Sequence, residues 1–172
     1  GINAKAQGLF ADLKVGIVAS GDRYVDGCNW DTIFKGIPGL VVEGISDANQ
    51  TTMGSLQDAY TFQSGYSDYR ELLASTNPNL VAIPQNGTTD RYEIIKNCLM
   101  SGSHVICPGP FVSELEDADE LVALAERRGL KIAVVYPMRL DPNVERFYEE
   151  REELLGVLVE IRVFGELAEN AG

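Results

Sequence analysis

The chain has 172 residues, 45% hydrophobic and 23% charged, which is the mix of one globular domain with a core large enough to need no staples. Its net charge of -12 argues against non-specific nucleic-acid binding, which relies on Lys and Arg at phosphates, and against docking on anionic membranes. Cys28, Cys98 and Cys107 form no C-x-x-C pair and no even-numbered disulfide framework, so a reducing, cytoplasmic setting is expected, and no apolar run approaches the ~18 residues of a membrane span.

Residues 1–12 read as a small, polar N-terminal tail, and Gly1 in place of Met points to processing or a trimmed tag. The first strand is Lys14-Val15-Gly16-Ile17-Val18, which runs through Ala19 and Ser20 into a turn at Gly21. Trp30, Ile33 and Phe34, at i, i+3, i+4 spacing, predict a short helix over Asp26–Gly36, stopped by Pro38-Gly39. Leu40–Ser46 is a second strand ending at Asp47. Asn49–Phe62 and Ser67–Ser75 read as helices, and Leu80–Pro84 as a third strand. Asp90–Ser101 is a helix closed by Gly102, and His104–Cys107 a fourth strand broken by Pro108-Gly109-Pro110. Ser113 and Glu116 have the spacing of a capping box for a helix that ends at Gly129. Lys131–Tyr136 is a fifth strand, Pro142–Leu155 a charged helix and Val157–Phe164 a sixth strand.

Strands alternate with helices almost throughout. The expected fold is therefore α/β: a Rossmann-like, doubly wound, mostly parallel sheet with helices on both faces. Its domain spans 13–156, with 157–172 as an extra strand and tail. Ligands of such sheets sit at the carboxyl ends of the strands, which directs attention to the loops after each strand.

Three loops carry candidate chemistry. Set against G-x-G-x-x-G, the positions Ala19 to Tyr24 keep only the middle glycine, Gly21, which is the one that lets backbone approach a pyrophosphate. An ordinary strand-to-helix turn is the alternative. Asp47, 26 residues after Gly21, stands where a carboxylate accepts both ribose hydroxyls of an adenosine and repels a 2′-phosphate, so NAD is favoured over NADP; otherwise it starts the turn Asp47-Ala48-Asn49. Asn86 and Thr88, after the third strand, are placed to meet a cofactor's phosphates or nicotinamide ribose, or else to form a polar turn. His104 is the single histidine and opens an apolar strand, where a structural role is expected. No metal site is expected, because neither Cys98 nor Cys107 makes a ligand spacing with it. Arg139 lies at the carboxyl edge, and pairing with an acidic group is its expected role.

The run Gly102-Ser103-His104-Val105-Ile106-Cys107-Pro108-Gly109-Pro110 resembles the G-K-H-V-x-x-E-K-P signature of the Gfo/Idh/MocA oxidoreductases. Lys14–Gly21, Gly44–Asp47, Tyr69–Leu73, Tyr136–Pro142 and Leu155–Leu158 resemble further segments of that family in the same order. The resemblance implies an NAD(P)-binding Rossmann domain followed by a second α/β domain, in a protein about twice this length. It carries over cofactor contacts at Ser20, Gly21, Asp22, Arg23, Asp47, Asn86 and Thr88. It carries over no catalytic residue: the family lysine falls on Gly109, its glutamate on Pro108, and the histidine of its T-P-N-x-x-H loop on Arg91.

The resulting expectation is an NAD-binding domain of a Gfo/Idh/MocA-like oxidoreductase with little or no hydride transfer of its own. The rival is a non-catalytic interaction module that has lost the cofactor and forms a homodimer through Val157–Phe164. An enzyme of other chemistry would use Asp22, Arg23, Asp90, Arg91 or Arg139, provided that they converge on one pocket.

Overall fold

A computed structural model describes residues 13–19, 24–25, 28–29, 33–34, 36–49, 53, 64–84, 90–136 and 141–155. The chain forms two compact units, Gly1–Tyr136 and Pro137–Gly172.

The first unit is built on a six-stranded, all-parallel sheet. Its strands are β1 (Leu13–Val18), β4 (Leu40–Ser46), β5 (Ser64–Tyr66), β6 (Leu80–Ala82), β7 (His104–Pro108) and β8 (Ile132–Val135), in the spatial order β5-β4-β1-β6-β7-β8. This is the Rossmann-like α/β order: the chain winds outward from β1 through β4 to β5, then crosses to β6 and winds the other way. The switch point lies between β1 and β6.

Helices α1 (Tyr69–Thr76), α2 (Arg91–Ser101) and α3 (Leu115–Arg128) follow β5, β6 and β7. Strand alternation sorts the core into two faces. Val18, Val81, Ile83, Val105 and Cys107 meet Leu72 and Leu73 of α1, Ile95, Cys98 and Leu99 of α2 and Leu121 of α3. Each such aliphatic side chain contributes about 1.5–3 kcal/mol by leaving water. On the other face, Val15, Ile17, Ile45 and Ala82 pack with Phe34. Met53, whose N–H donates to the Asn49 carbonyl at 3.1 Å, is helical and lies over Gly65 of β5.

Two expectations about the early chain are corrected. Within Asp26–Gly36 the described residues are not helical: Cys28–Asn29 is β3, paired antiparallel with β2 (Tyr24–Val25), and Ile33, Phe34 and Gly36 lie in turns. Asp-Gly is a sequence favoured between paired strands, a local signal that competes with the helical spacing of Trp30, Ile33 and Phe34. In addition, β5 precedes the strand expected to be third, so Leu80–Ala82 is the fourth member of the sheet in chain order. Ser-Gly-Tyr has no apolar alternation, and its pairing comes from the ladder of Gly44, Ile45 and Ser46.

The helix ends follow local chemistry. Asp68 caps α1 by accepting the Arg70 N–H at 2.9 Å. Gly102 (φ 95) and Gly129 (φ 67) close α2 and α3 in the left-handed region that only glycine enters freely. At the start of α3 the capping residue is Glu114, without a side-chain cap bond, in place of the expected Ser113.

In the second unit, α4 (Pro142–Leu155) opens on an aspartate turn: Asp141 Oδ1 accepts the Asn143 N–H at 2.8 Å. The strand expected over Val157–Phe164, and the homodimer built on it, lie outside the described residues. No helix among the described residues is long and apolar enough to cross a membrane.

Candidate functional site

A cavity of about 570 Å³ opens at the carboxyl edge of the sheet. This falls within the roughly 300–1,000 Å³ typical of small-molecule sites. The ends of β1 and β4 supply Val18, Ala19 and Ser46. The segment Ser67–Arg70 closes it from the start of α1, and Asp90 and Glu93 from the start of α2. The fold dictates this position, because every strand of a parallel sheet ends on the same edge and the crossover helices begin there.

The cavity wall is largely apolar, and its charged side chains are mainly acidic. Asp68 lies 3.5 Å from Arg70, whose guanidinium also stacks 4.6 Å from the centre of the Tyr69 ring. The Tyr69 hydroxyl accepts from Asn97 Nδ2 at 3.0 Å, and burial raises its pKa. Asp90 and Glu93 leave the wall with more negative than positive charge.

Of the candidate cofactor residues, Asp47 is described. It is only 1% exposed. Its N–H continues the sheet ladder to the Tyr66 carbonyl at 3.0 Å, and its Oδ1 accepts the Asn49 N–H at 2.8 Å. Asp47 therefore starts the turn after β4. Ser20, Gly21, Asp22, Arg23, Asn86 and Thr88 lie outside the described residues.

Of the residues proposed for other chemistry, the two described, Asp90 and Arg91, do not converge. Asp90 lines the cavity, whereas Arg91 is fully buried and donates from one guanidinium nitrogen to the carbonyl oxygens of Pro108, at 3.0 Å, and of Pro110. Asp22, Arg23 and Arg139 lie outside the described residues. His104 Nδ1 accepts the Lys131 N–H at 3.0 Å and ties β7 to the start of β8. Lys96 donates to Glu120 and to the Tyr92 hydroxyl, at 2.8 and 2.9 Å. Among the described residues no three His, Cys, Asp or Glu side chains gather as a metal site.

Sequence reasoning passed over Asp68 and Arg70 as lining residues, although they lie in and beside the Y-R-E-L-L run, and reached Tyr136 only as the start of a segment at the sheet's carboxyl edge.

The switch-point topology and the edge cavity define a nucleotide-binding α/β domain. Residues 15–136 match the family model described as "Oxidoreductase family, NAD-binding Rossmann fold". The chain belongs to the Gfo/Idh/MocA oxidoreductase family, and this region is its NAD-binding Rossmann domain. An uncharacterized oxidoreductase of Schizosaccharomyces pombe is 37% identical over 92 residues, covering 52% of this chain and 24% of that protein. Biliverdin reductase from Synechocystis, solved with biliverdin and NADP+, superposes with a TM-score of 0.73 at 16% identity, over 84% of this chain and 44% of that one. Scyllo-inositol dehydrogenase from Lactobacillus casei, solved with NAD(H) and scyllo-inositol, gives 0.68 at 14% identity, over 82% and 41%. At these identities the two structures speak for the fold. The chain spans between 20% and 46% of the length of the curated relatives it matches.

Proposed function

We propose that this domain binds NAD(H) in preference to NADP(H) and contributes the cofactor half of an oxidoreductase, with no proton-transferring group of its own at Gly109. The observation that carries the reading is the edge cavity where β1 and β4 end, with Asp47 at the end of β4. The adenosine half of a dinucleotide fits there. Its ribose hydroxyls would donate to Asp47, and a 2′-phosphate would meet that carboxylate as well as Asp68, Asp90 and Glu93 in the cavity wall. The nicotinamide supplies the hydride chemistry when bound. Gly109 and its flanking prolines hold and orient backbone but carry no group that exchanges a proton, so this edge favours binding over acid–base catalysis.

Calorimetric titration of the chain with NAD+, NADH and NADPH tests this. Micromolar binding with NAD(H) preferred is expected. Absence of binding at millimolar nucleotide would overturn the reading and leave the interaction module in front.

A further inference from the structure

Gly109 and Tyr136 interlock at the ends of β7 and β8. The Gly109 N–H donates to the Val135 carbonyl at 3.0 Å, so the two strands remain paired up to this point. A Cβ built on Gly109 would lie 2.8 Å from Cδ1 of Tyr136 and nearer still to Cε1 and Cζ. The tyrosine ring thus fills the volume in which any side chain at 109 would begin. Gly109 is not among the residues at positive φ, so room for the ring is what requires glycine here, rather than backbone conformation.

The loop beneath the ring is fixed. Arg91, wholly buried, holds the carbonyls of Pro108 and Pro110 on either side of Gly109. Tyr136 itself is 54% exposed. An aromatic ring seated on fixed backbone at the ligand-binding edge, with half its surface open, is a stacking platform that loses little entropy when it is used.

Topology assigns the ligand half. In this strand order each three-stranded half takes one nucleotide of a dinucleotide. Asp47 marks the β1, β4, β5 half for the adenosine, and Tyr136 and Gly109 belong to the β6, β7, β8 half. We infer that Tyr136 is the stacking contact for the nicotinamide half of the bound dinucleotide, with Gly109 and Arg91 as its positioning residues. The inference rests on the dinucleotide reading above.

The test is calorimetric titration of NAD+ and ADP-ribose, which lacks the nicotinamide, into wild type, Tyr136→Ala, Tyr136→Phe and Gly109→Ala. Tyr136→Ala is expected to weaken NAD+ roughly five- to ten-fold, the size of one aromatic stacking contact, and to leave ADP-ribose within about two-fold. Tyr136→Phe should keep NAD+ close to wild type, because the ring is retained. Gly109→Ala should reproduce the NAD+ loss by displacing the ring. Retained ADP-ribose binding also shows that each variant is folded. Equal losses for both ligands, or none for NAD+, overturn the inference alone. A wild type that binds neither ligand overturns the dinucleotide reading and the inference with it.

Discussion

The Arg91 guanidinium donates to the Pro108 carbonyl across 3.0 Å and ties the first turn of α2 to the carboxyl end of β7. Burial lowers the pKa of this arginine, and the carbonyls it meets replace the water it has lost. Arg91→Met leaves those carbonyls without a cationic donor. It is expected to cost about 2–4 kcal/mol, read from the urea unfolding midpoint. Arg91→Lys should restore only part, because an ammonium is a compact, strongly hydrated charge that costs more to bury than a guanidinium. An Arg91→Met protein as stable as wild type would show that the clamp contributes nothing.

Both buried thiols make the fold sensitive to alkali. Burial pushes the Cys98 thiol up to about 12 and the Cys107 thiol up to about 11 from an ordinary 9.0, the latter although the nearby Arg91 pulls it down. Above pH 9 the unfolded chain releases protons that the folded chain keeps, so unfolding becomes easier as pH rises. The loss approaches about 1.4 kcal/mol per pH unit for each thiol. Urea midpoints between pH 8 and 10.5 should fall less steeply for Cys98→Ala than for wild type. At pH 8 neither thiol should react with iodoacetamide faster than the protein unfolds.

Gly16 sits in β1 where a Cβ would lie 2.8 Å from Leu72 Cδ2 and 3.3 Å from Pro78 Cγ. Leu72 is fully buried between strand and helix. Gly16→Ala therefore overpacks the joint between β1 and α1, and a loss of about 1–3 kcal/mol in chemical denaturation is expected.

Asp47 joins local structure to the proposed ligand. Asp47→Ala removes the acceptor for the Asn49 N–H, a bond worth about 0.5–1.5 kcal/mol of stability. If the ribose reading holds, it also lowers NADH affinity by roughly ten- to a hundred-fold and narrows the gap to NADPH. Asp47→Asn keeps the amide acceptor and so preserves stability. A parallel loss for NADH in Asp47→Asn would separate ribose binding from turn support.

The short apolar runs in Lys14–Val18, Leu40–Ser46 and His104–Cys107, and the one-sided spacing of Tyr92, Ile95 and Leu99, encode their elements directly. Gly102 and Gly129 mark helix ends because the left-handed conformation is a property of the single residue. These local signals, taken in order, determine the α/β class and the edge on which Asp47 stands. Tertiary structure alone decided the rest. The edge strand Ser64–Tyr66 has no pattern of its own and takes its hydrogen bonds from β4. Arg91 reads as a candidate for chemistry at the loop rim until carbonyls 17 and 19 positions further along the chain fold over it. Gly109 reads as a break between prolines until Tyr136, on the neighbouring strand, occupies the space beside it. In each case the partner is distant in sequence, and only the packed sheet brings the two into contact.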